Sequence, residues 1–149
     1  MPTLEQVLEA YPKQVKLIFM QYPLSFHQNA RPAALASLAA QKQGKFWPMH
    51  DMIFQNQANL KNAQGEYRFS EFAKTLGLNV AKFDTDMKDP ALDKIIADQM
   101  KAGAEAQVSG TPALYLNGKK VGDRSFDGLK RMIEAELASK GGSTASKSQ

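Results

Sequence analysis

The 149-residue sequence predicts an α/β fold. Three observations predict it: a β-branched and aromatic run at Val15–Tyr22, a long middle whose apolar residues recur at helical spacing, and an Asn117-Gly118 pair flanked by the short segments Ala113–Leu116 and Lys119–Val121. The order helix, strand, helical block, hairpin, helix implies layers in which one strand pairs with a later antiparallel hairpin across a long helical crossover. At this length roughly two-thirds of the unfolded chain's surface can be buried, enough for one core.

Thr3-Leu4-Glu5-Gln6 fits a capping box, and Leu4, Val7, Leu8 and Tyr11 share a helix face, so a short helix runs to about Tyr11 and stops at Pro12. Val15–Tyr22 is almost continuously apolar and ends at Pro23; it reads as a buried, parallel strand. Asn29–Gln43 is alanine-rich with Leu35 and Leu38 on one face, and Gly44 stands at the C′ position. Phe46–Phe54 forms a second helix, with Pro48 in its first turn. The polar stretch 56–65 is a loop, followed by short helices at Ser70–Leu76 and Val80–Met87 on either side of Gly77. Asp89-Pro90, an N-cap followed by proline at N1, opens a helix through Leu92, Ile95, Ile96 and Met100 toward Gln107. Ala113–Leu116 and Lys119–Val121 flank the two-residue turn, and Phe126, Leu129, Met132, Ile133 and Leu137 mark the last amphipathic helix. Residues 139–149 read as a flexible tail rich in Gly, Ser, Thr and Lys.

The hydrophobic fraction of 43% and the charged fraction of 23% are ordinary for a soluble globular protein, and no apolar run approaches the ~18 residues of a membrane span. The formal net charge is +4, but the 19 basic residues are scattered among 15 acidic ones in short clusters and no basic stripe interleaves with aromatics, so no nucleic acid is expected as a partner. Cysteine is absent, which removes disulfides, thiolate metal sites and thiol nucleophiles together. Met1–Gln6 lacks the pattern of a secretory signal, so the product is cytoplasmic if Met1 is the true start.

Several segments in this order carry a family likeness: Val15–Leu24, Phe26-His27-Gln28-Asn29-Ala30, Gln43–Trp47 with Met49-His50, and Val108-Ser109-Gly110-Thr111-Pro112 running into Ala113–Gly118. Together they resemble the DsbA family of thioredoxin-fold thiol–disulfide oxidoreductases. The resemblance implies a thioredoxin-like domain over 2–138 with a helical insert at about 29–107, and a cis-proline loop at Thr111-Pro112. It also implies an absence, because the family's first β-strand and its Cys-x-x-Cys would precede Pro2. That strand lies in the middle of the family's sheet, between the strands similar to Val15–Tyr22 and Ala113–Leu116. The expectation is a truncated or start-misassigned family member, redox-inactive as given, and periplasmic or otherwise extracytoplasmic if an upstream signal and strand are missing.

No residue is assigned a catalytic role, and no cofactor or metal is expected. Gly110, Thr111 and Pro112 are the candidate substrate-binding residues, since such a loop can pair its backbone with an extended or unfolded polypeptide. His27 and His50 have no convergent third ligand; His27 is expected to order the loop before Asn29, and His50 to sit beside Trp47 on a helix face. A triad of Ser109, His27 and Asp51 has no strand-turn-helix context. Two readings other than an oxidoreductase stay open: a redox-dead peptide-binding or chaperone-like module, and a homo-oligomer formed across the vacated strand position, where direct closure is ranked below strand exchange.

Overall fold

The computed structural model describes residues 2–145. They form two compact units: one is the continuous stretch Met20–Gln107, and the other joins the N-terminal residues through Phe19 to the chain from Val108 onward. Two hydrophobic clusters, one within each unit, replace the single core expected.

The Met20–Gln107 unit is helical. It contains α2 (Ala30–Gln41), α3 (Phe46–Gln55), a 3-10 turn at Gln57–Asn59, α4 (Phe69–Thr75), α5 (Val80–Asp86) and α6 (Pro90–Glu105). The alanines of α2 explain its central place: Ala36, Ala39 and Ala40 are fully buried, and side chains this small let neighbouring helices approach closely. Phe83, Met49 and Ile96 are the largest fully buried side chains. The caps are local: Asn79 Oδ1 accepts from Lys82 N at 2.9 Å, and Asp89 Oδ1 from Ala91 N at 2.9 Å. Lys42 Nζ bridges Asp86 and Asp89 at 2.9 and 2.7 Å, while Lys82 reaches the other Asp86 oxygen at 2.6 Å. Hydrogen bonds from Lys82 and then Lys42 hold the Asp86 carboxyl below the usual range.

The two ends of this unit meet. Gln99 Oε1 accepts from Gln21 N at 2.6 Å, and buried Gln21 donates its side-chain amide to Ser37 Oγ at 2.9 Å. Ser37 in turn donates to Ala34 O at 2.8 Å. One turn beyond Gln99, the Tyr22 ring lies on Gly103 so closely that a Cβ there would stand 2.6 Å from a ring carbon.

The other unit comprises α1 (Pro2–Ala10), an extended segment through Phe19, the hairpin β1 (Tyr115–Leu116) and β2 (Lys119–Lys120), and α7 (Phe126–Ala145). Its core is Val7, Val121, Leu129 and Ile133, with Leu4, Val15, Leu114 and Met132 packed around them. The hairpin pairs Tyr115 with Lys120 and Leu116 with Lys119. Asn117 (φ 47°) and Gly118 (φ 80°) both adopt the left-handed backbone that a two-residue type I′ turn requires.

Three expectations are corrected. Val15–Tyr22 is extended but is not a buried strand: it enters no ladder among the described residues, and Ile18 and Met20 are 69% and 50% exposed. Its composition suits a strand, but among the described residues no strand pairs with it. The segment does not close onto Ala113–Leu116, for the two-stranded sheet is β1 with β2 alone. The first helix already includes Pro2, whose fixed φ suits a first turn, so Thr3 lies inside the helix and not at its N-cap. The last helix, Phe126–Ala145, enters the 139–149 segment expected as a tail. The remainder of that tail lies outside the described residues.

Candidate functional site: the loop before the hairpin

The chain leaves α6 through Gln107, whose φ of 58° breaks the helical path. The following loop, Val108–Pro112, runs into β1, and its Thr111–Pro112 peptide bond is cis. The chain bends at Thr111 and Pro112 before it enters the strand. Val121 N donates to Leu114 O at 2.9 Å, tying the loop's exit to the far side of the hairpin. Arg124 reaches back across: its Nη1 donates to Pro112 O at 2.9 Å.

Arg124 is placed by the turn into α7. Ser125 accepts from Gly128 N through its Oγ (3.1 Å) and from Leu129 N through its carbonyl (3.0 Å), which makes it the helix N-cap. Asp123 accepts from Ser125 N at 3.0 Å and from Arg131 Nη2 at 2.9 Å. The Ser125 hydroxyl and N–H, and then the Arg131 charge, hold the Asp123 carboxyl below the usual range.

These elements enclose an open groove of about 340 Å³. Its lining includes Ser109, Gly110, Pro112 and Ala113 from the loop and Lys120 and Arg124 from the hairpin and beyond. Of the three candidate binding residues, Gly110 and Pro112 therefore line the groove. Thr111, between them, is exposed but is not part of the wall. Lys120 and Arg124 were not anticipated, because their separation from Pro112 in sequence hides a proximity that only the hairpin register creates.

A second, narrow groove of about 70 Å³ runs beside the extended segment, where Val15 and Leu17 face Leu114 and Leu116 over Val7 and Ile133. Backbone groups of Lys16, Leu17 and Ile18 make no hydrogen bond among the described residues.

The histidines are elsewhere, in the helical unit. His27 caps a turn, its N bonded to Leu24 O and its O to Ala30 N, with its ring 4.5 Å from Phe26. His50 is buried in α3, its ring 5.3 Å from Trp47 and its Nδ1 2.9 Å from Asp51 Oδ1. Among the described residues no three His, Cys, Asp or Glu side chains converge as a metal site.

The family described as DSBA-like thioredoxin domain matches residues 3–134. The chain belongs to that family. The DSBA-like domain is also similar to a solved structure, a thioredoxin-like oxidoreductase from Silicibacter pomeroyi DSS-3, with a TM-score of 0.73 over 93% of this chain and 77% of that one. At 22% identity that likeness concerns the fold. Curated relatives of the DSBA-like domain include Na(+)/H(+) antiporter NhaA 3 of Salinispora tropica, 30% identical over 140 residues that make up 93% of this chain and 21% of that protein. A Na(+)/H(+) antiporter NhaA of Herminiimonas arsenicoxydans is 30% identical over 98 residues, 66% of this chain and 15% of that one. The DSBA-like domain thus spans about a fifth or less of the length of such relatives. Among its described residues no helix is long and apolar enough to cross a membrane.

Proposed function

We propose that this DSBA-like domain binds extended or unfolded polypeptide in the groove beside Gly110, Thr111 and Pro112, and that the 149-residue chain does so without redox chemistry. The observation that carries the reading is the groove itself, an open channel flanked by loop backbone at the edge of a hairpin. An extended peptide can add to such backbone by main-chain hydrogen bonds, with side chains entering the channel. Redox inactivity follows from composition: exchange needs an attacking thiolate, and the chain has no cysteine. The test is binding of a carboxymethylated, permanently unfolded polypeptide, compared with Gly110→Phe. A Cβ at Gly110 meets nothing within 4 Å, so the aromatic ring can occupy the groove without disturbing the fold. Binding that is lost while the melting temperature holds supports the reading; equal binding by both proteins rejects it.

In a longer gene product carrying a first strand and a Cys-x-x-Cys, the same groove would present substrate to a disulfide, and the whole would be a thiol–disulfide oxidoreductase of an extracytoplasmic compartment. Translation of the upstream codons tests that form, and an in-frame stop before any such motif rejects it. A second reading has its own observation, the run of unbonded backbone at Lys16–Ile18 beside exposed Ile18 and Met20. Such an edge invites pairing with a second copy. Light scattering that finds a monomer at high concentration rejects self-association.

A further inference from the structure

We propose that the groove selects polypeptide segments bearing an acidic side chain, with Lys120 and Arg124 as the residues that read it; this rests on the peptide-binding reading above. The groove's lining contains these two cations and no Asp or Glu. Among the described residues neither Lys120 nor Arg124 has an ion-pair partner. Successive strand residues point to opposite faces, and the neighbouring pair Lys119 and Lys120 divides accordingly. Lys119 forms an ion pair with Glu136 on α7, whereas Lys120 has no ion pair or side-chain hydrogen bond among the described residues. Arg124 spends one donor on Pro112 O, which fixes its guanidinium at the rim and leaves its other N–H groups for a ligand. The adjacent carboxylate, Asp123, is already engaged by Ser125 and Arg131 and does not line the groove. A fixed guanidinium and an unpaired ammonium flanking apolar Pro112 and Ala113 match a carboxylate carried on an extended backbone.

The expected preference is modest because both cations are solvent-exposed: a glutamate should bind about two- to fivefold more tightly than glutamine, in line with exposed ion pairs, and the margin should shrink with added salt. The experiment is fluorescence anisotropy of the full chain with labelled, cysteine-free ten-residue peptides, C-terminally amidated and identical but for a central Glu, Gln or Lys. A fourth peptide carries Gln and a free C-terminal carboxylate. Support is the order Glu over Gln over Lys, lost in the Lys120→Gln/Arg124→Gln double variant and kept in Lys119→Gln. Equal affinity for all peptides, abolished by Gly110→Phe, leaves peptide binding standing and overturns the acidic preference. Tighter binding of the free C-terminus without a Glu preference also overturns it, in favour of terminal carboxylate capture. Binding of none of the peptides overturns the peptide-binding reading and this inference together.

Discussion

Replacing Gly103 by alanine sets two effects against each other in α6. Alanine is the better helix former, by about 1 kcal/mol in a helix interior. Against this, the new Cβ would lie 2.6 and 2.7 Å from two ring carbons of Tyr22, closer than van der Waals contact allows. Overpacking of this kind costs about 1–3 kcal/mol, so Gly103→Ala should destabilise the helical unit by about 1 kcal/mol net. The same change in a Tyr22→Ala background removes the clash and leaves only the propensity, so there it should stabilise by about 1 kcal/mol. The coupling between the two sites is then about 2 kcal/mol, within reach of a double-mutant cycle measured by urea unfolding with far-ultraviolet circular dichroism. A Gly103→Ala protein more stable than its parent would refute the reasoning, since the ring could then move aside freely.

The chain should show no turnover in insulin reduction or dithiothreitol oxidation, and any rate above a buffer blank would contradict the absence of an attacking sulfur. Gly118→Val should cost about 1–2 kcal/mol, because a branched side chain is forced into the left-handed backbone at φ 80°; an unchanged urea midpoint would mean the turn is not held this way. Asp86 and Asp89 both titrate below their ordinary range in the folded state, Asp86 through Lys82 and Lys42 and Asp89 through Lys42 and the Ala91 N–H. Their contribution is present at neutral pH and lost as pH falls below about 5 through the folded values, so acid unfolding followed by circular dichroism should be flatter in Asp86→Asn than in the parent.

What the sequence made legible was local. Asn117-Gly118 announces its turn because both residues tolerate positive φ, and Asp89-Pro90 announces α6 because cap and N1 proline need no tertiary context. Residues 15–22 show the opposite case. Their β-branched and aromatic content is visible, yet whether a strand is paired depends on a neighbour that composition does not name. The candidate site divides along the same line. Gly110 and Pro112 follow from the loop's resemblance to the family's cis-proline loop, whereas Lys120 becomes part of the site only once the pairing with Tyr115 decides which face it takes. Contacts far apart in sequence, such as Gln21 with Gln99 and Tyr22 with Gly103, leave no periodic trace at all.

Those last two contacts bear on how the other unit can hold together. Its pieces, residues 2–19 and the chain from Val108 onward, are separated by the whole of Met20–Gln107. Bringing the ends of a flexible loop of roughly 90 residues together costs about 4 kcal/mol in chain entropy. The bond from Gln21 to Gln99 and the seat of Tyr22 on Gly103 fasten the first residues of that long excursion to its final turns. With those contacts made, the chain entropy lost in bringing α1 and α7 together is that of a short tether rather than of the whole excursion.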